Sequence, residues 1–162
     1  MRARLYERRE ATIAADYESR HCGRRGQPRF LQVAAAMRDH FLLSARNGPC
    51  RLAIDRTGAT FVSDIEIARD SATRRRGLLG RLFLEADRAF VIAPCQGVHT
   101  FGMRFAIDIV AADRNGRVIK LRSRVRPGRV VLAWSAFAII ELAAGVLDCS
   151  DLRKGDRLVC QA

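Results

Sequence analysis

A chain of 162 residues, 49% of them apolar, is long enough for one domain with an appendage and too apolar to be globally disordered. The formal charge of +12 permits contact with nucleic acid or an acidic surface, yet Lys120 and Lys154 are the only lysines, and so uniform an arginine content reads first as genome composition and a solvated surface. The longest apolar run, residues 130–145, is shorter than the ~18–20 residues of a membrane span and contains Glu141, so no span is expected.

Two parts follow in chain order. Residues 1–49 read as an N-terminal extension, partly helical or disordered. The stretch 16–27 is polar and holds a Gly-Arg-Arg-Gly tract. Pro28 then suits the start of a helix over 29–43, where Phe30, Val33, Ala34, Met37 and Phe41 recur at helical spacing. Asn47-Gly48-Pro49 ends it. The start MRARLYERRE lacks an apolar leader, so a cytoplasmic protein is expected; an envelope location follows only if the true start lies elsewhere, Met37 being an internal alternative.

Residues 50–162 read as a β-rich domain. Strands are expected over 50–54 and 59–68. In the second, Phe61, Ser63, Ile65 and Ile67 share one face, and Thr60, Val62, Asp64 and Glu66 the other. Asp70 or Ser71 caps a short helix that runs through Leu79 and ends at Gly80. A compact strand over 89–93 precedes Pro94. Asn115-Gly116 predicts a type I′ hairpin between strands 105–113 and 117–126. Alternation then puts Lys120, Arg122, Arg124 and Arg126 on one face of the second strand. Strands over 130–134, 136–142 and 157–161 complete about eight in all, an antiparallel β-sandwich or barrel-like domain with one short helix.

The stretch 94–104 gathers Cys95, His99, Thr100 and Met103 between glycines, and Asp108 follows inside an apolar strand. Cys95 and His99, with Asp108 as orienting group, have the residue types of a nucleophile and its base, and Cys95 is the candidate reactive thiol. The alternative is that His99, Phe101 and Met103 point together into a core. Asp108 and Glu141 are carboxylates in apolar runs, costly to bury unless partnered. Each fits either a loop-fixing hydrogen bond or a polar group in a ligand cleft. His21, His40 and His99 have no ligand spacing on one helix face, so no metal site and no cofactor is expected. The five cysteines, Cys22, Cys50, Cys95, Cys149 and Cys160, include no C-x-x-C pair and read first as free thiols, several of them in the core, with a disulfide between two of the distant ones as the alternative. The Arg74-Arg75-Arg76 run and the basic strand face offer a nucleic-acid patch, but without interleaved exposed aromatics this is not the favoured reading.

The blocks Arg75-Arg76-Gly77-Leu78-Leu79-Gly80-Arg81, Val98-His99-Thr100-Phe101-Gly102-Met103 and Ile107-Asp108 are followed by residues 113–118, Glu141-Leu142, Ala144-Gly145 and Gly155-Asp156. Together, from Thr60 to the C-terminus, they resemble the bacterial and archaeal domain of unknown function 192 (DUF192) family. The resemblance implies a compact β-sandwich or barrel-like fold with a short helix and implies no activity. Many relatives look secreted or membrane-anchored. The family's common aromatic-Met-Lys-Asn segment is replaced here by Gly102-Met103-Arg104-Phe105, so no role of that Lys or Asn carries over. The expected function is a non-catalytic β-domain that binds a small molecule or a protein partner through a cleft of His99, Thr100, Met103, Asp108 and Glu141. A small enzyme using Cys95 and His99, and a nucleic-acid binder using the arginine-rich face, are the alternatives.

Overall fold

Ile107–Ala112 is a run of apolar residues with one carboxylate, and a strand apolar on both sides belongs in the middle of a sheet. The computed structural model, which describes Phe41, Leu42, residues 50–68 and residues 70–161, places it there. Ten strands and one short helix are present among the described residues: β1 (Arg51–Ile54), β2 (Thr60–Val62), β3 (Asp64–Ala68), α1 (Ser71–Arg76), β4 (Arg88–Ile92), β5 (Gly97–His99), β6 (Ile107–Ala112), β7 (Val118–Val125), β8 (Val130–Leu132), β9 (Ala138–Ala143) and β10 (Leu158–Gln161). The strands form a five-stranded sheet, β3-β4-β9-β6-β7, a three-stranded sheet, β10-β1-β2, and a two-stranded ribbon, β5-β8. No helix among the described residues is long and apolar enough to cross a membrane. The helix expected over 29–43 lies, apart from Phe41 and Leu42, outside the described residues, as do His21, His40 and Cys22.

Each face of the five-stranded sheet carries its own core, as alternation along β6 and β9 requires. Val110, Ala112, Ile140 and Leu142 pack on Leu52, Ile54, Val62 and Leu158 of the three-stranded sheet, which makes the sandwich. Ile107, Ile109, Ala111 and Ile139 face the other way, onto Leu78, Leu84, Met103 and Val131. This second face is roofed by the chain between β3 and β4 and by the ribbon.

Several local expectations are corrected. The single strand over 59–68 is two. Ser63 and Asp64 both donate their N–H to Asp87 O, and at this point the chain leaves one sheet for the other. β3 then pairs with β4 in parallel rather than antiparallel fashion, because α1 carries the chain back between them. The helix is shorter than expected. Asp70 caps it, accepting from Thr73 N (2.7 Å) and Thr73 Oγ1 (2.8 Å), bonds that hold this carboxyl below its ordinary pKa. Gly77, at φ +51°, ends it three residues before Gly80.

The hairpin at Asn115-Gly116 is present, but only Gly116 takes positive φ, so the turn is not type I′. Asp113 Oδ1 accepts from Asn115 N and Arg117 N and fixes a different bend. The basic comb of β7 is also interrupted. A bulge shifts register between Ile109↔Arg122 and Ile107↔Val125, with Arg124 at φ +51°.

Cys50 and Cys160 do not remain free thiols. Antiparallel pairing of β1 with β10 brings the ends of the domain together, with Cα atoms 6.0 Å apart, and the two are joined as a disulfide. Cys95 and Cys149 are free.

Candidate functional site

The site is built on one row of residues across the second face. Register aligns Glu66 of β3, Phe90 of β4, Glu141 of β9 and Ile109 of β6 as successive neighbours. A sheet interior should be apolar here, yet Glu141 is 3% exposed and its Oε2 is buried without a hydrogen-bond partner. Desolvation raises its pKa from 4.5 to about 7, opposed only in part by the positive charge of Arg81. Arg81 is engaged elsewhere. Its guanidinium binds Glu66 Oε1 at 2.7 Å and lies 5.4 Å from the Phe90 ring centroid.

Above Glu141 opens a cleft of about 240 Å³. Apolar walls come from Leu78, Leu79, Ile92, Pro94, Val98 and Met103, and Arg74, Arg75 and Arg76 line it from the last turn of α1. Cys95 and His99 also reach it. The arginines concentrate there because Gly77 turns the chain sharply after α1, so Leu78 enters the core while the three cations stay at the mouth. Arg74 Nε is a second buried atom without a partner.

Of the residues expected in the cleft, Glu141, Met103 and His99 line it, and Cys95 joins them. Asp108 and Thr100 do not. Asp108 pairs with Leu142, next in sequence to Glu141, so its side chain lies on the opposite face of the sheet. There, fully buried, it accepts from Arg124 N (2.7 Å), Gly145 N (3.0 Å) and Leu147 N (2.8 Å). Its role is the loop-fixing one, and the β7 bulge is what turns the Arg124 amide onto it. Thr100 is likewise buried and spent: its hydroxyl donates to Arg126 O (2.7 Å) and accepts from Arg129 N (2.9 Å), fixing the turn between them.

The expected imidazole–carboxylate pair is therefore not assembled. His99 is exposed rather than in the core and lies against Phe101, ring centroids 5.5 Å apart. The Cys95 thiol donates to Gly97 O at 3.1 Å. Among the described residues no three of His, Cys, Asp and Glu come close enough to share a metal ion.

The basic strand face is partly spent as well: Lys120 Nζ donates to Leu132 O and Arg124 pairs with Asp148. Sequence reading missed Arg81 and the place of Arg74 in the cleft. The usable signal was Gly77-Leu78-Leu79-Gly80, an apolar pair between two turn residues, which forces the flanking arginines to the rim of whatever the leucines fill.

The profile of the DUF192 family, described as Uncharacterized ACR, matches residues 52–160, most of the described chain. Two solved structures share the fold. One is a protein of unknown function from Novosphingobium aromaticivorans DSM 12444, with TM-score 0.59 and 20% identity over 68% of this chain and 82% of that one. The other, from Sinorhizobium meliloti 1021 and provisionally described as a transcription regulator, has TM-score 0.61 and 19% identity over 68% of this chain and 91% of that one. No curated protein matches.

Proposed function

This chain belongs to the DUF192 family, and for it we propose a non-catalytic binding function: the cleft over Glu141 takes up a small molecule. One observation carries the reading. A carboxylate held in a sheet interior with an unpartnered oxygen lowers the stability of the fold, and such a group is best accounted for by a ligand that completes it. Asp108, buried to the same degree, shows that this fold can satisfy a carboxylate fully where only structure is at stake. The binding reading is favoured over a Cys95/His99 enzyme because the thiol donates to Gly97 O and the imidazole packs on Phe101, neither bonded to the other.

The test is a fragment screen on isotope-labelled protein. Binders are expected to shift resonances of Glu141, Met103 and Val98 together, and the shifts should vanish in Glu141→Leu, which should stay folded. Fragments that map elsewhere, or bind Glu141→Leu unchanged, would overturn the reading.

A further inference from the structure

Resting on that reading, we infer that the ligand is a small two-ended molecule: an oxyanion at one end for Arg74, an apolar middle, and an amino or hydroxyl donor at the other end for Glu141. Two residues that line the same cleft each carry a buried atom without a partner, and the atoms are of opposite kind: Arg74 Nε is a donor and Glu141 Oε2, when ionised, an acceptor. They do not satisfy each other, although an ion pair in so apolar a setting would be strongly favoured if they could meet. The cleft therefore presents two separate polar stations. Leu78, Ile92, Pro94, Val98 and Met103 make the remainder a surface for hydrocarbon.

The stations differ in strength of claim on a ligand. Arg74 sits beside Arg75 and Arg76 on α1, and the one carboxylate near it at the helix start, Asp70, is bonded to Thr73 N and Oγ1, so three cations face the cleft and its end favours a negative group. Glu141 has its nearest cation, Arg81, held by Glu66, so Arg81 does not fill its free oxygen. A ligand donor there would find an acceptor already desolvated and fixed by the sheet, with no further ordering required.

The experiment measures dissociation constants by NMR titration with straight-chain ω-amino and ω-hydroxy carboxylates of about four to eight carbons, the optimum length reporting the separation of the stations. The matching alkylamines, alcohols and plain carboxylates serve as one-ended probes. The best two-ended probe is expected to bind at least about tenfold tighter than any one-ended probe of its length. Whether the amino or the hydroxyl series wins identifies the donor. Arg74→Gln should erase the preference for carboxylates over alcohols and leave the preference for donors. Glu141→Gln, which removes the charge but keeps a carbonyl acceptor, should erase any preference for amino over hydroxyl ends and leave the preference for carboxylates. One-ended alkyl probes that bind as well as two-ended ones would overturn this inference while leaving a binding cleft in place. Failure of every probe to move cleft resonances would remove the binding reading and this inference with it.

Discussion

Asp108 and Glu141 are carboxylates on adjacent strands, both buried, one residue out of register, and they meet opposite fates. On the first face Asp108 gathers three backbone N–H groups from the β7 bulge and the loop after β9. On the second, Glu141 keeps an empty oxygen. The two faces of one sheet thus divide the labour: the first is closed by hydrogen bonds and a second sheet, the second is left open beneath a crossover. A buried charge is informative about function only after its partners have been counted.

The contrast can be broken at either carboxylate. Asp108→Ala strands three backbone donors and removes a hub, so roughly 3–5 kcal/mol of folding free energy should be lost in urea denaturation. A loss below about 1 kcal/mol would deny it the structural role.

Glu141 should behave in the opposite sense. Its folded pKa, about 7, lies above the ordinary 4.5, so between those values the folded protein keeps a proton that the unfolded chain has released. Its contribution is therefore fully present below pH 4.5, falls as pH rises to about 7, and levels off above, a swing of about 3 kcal/mol. The stability difference between wild type and Glu141→Gln, followed from pH 4 to pH 8, isolates that swing; parallel curves would sink the assignment. Arg81→Gln sharpens it further. Arg81 lowers the pKa of Glu141, so its loss should move the carboxyl midpoint upward by a fraction of a pH unit in carbon-detected NMR titration. The smallest effect belongs to the wall of the cleft. Asp70→Ala removes the cap of α1 and should lower the melting midpoint slightly while weakening probe binding more.

Much of the fold was legible because short, nearly wholly apolar runs such as β6 and β9 mark strands with neighbours on both sides and cores on both faces. The run 59–68 misled because its alternation is continuous while its partners are not: pairing changes sheets at Ser63, a tertiary event that leaves no local mark. The parallel pairing of β3 with β4 hid for the same reason. The site was half legible. Glu141 and Asp108 both announced themselves as charges in apolar runs, but telling them apart required knowing which face each side chain meets, and that depends on register. The core reading of His99 failed because in β5 it is Val98 that packs against the second core, while His99 is exposed beside Phe101. The Cys50–Cys160 pairing was invisible because 110 residues separate the two.

One property of α1 bears on how anything reaches Glu141. None of its six residues is buried, so the enclosure above the carboxylate is tacked down at Leu78 and Leu84 rather than packed along its length. Amide protons of this segment should trade with deuterium long before those of β6 and β9, giving the cleft a doorway that swings while its foundation stays still.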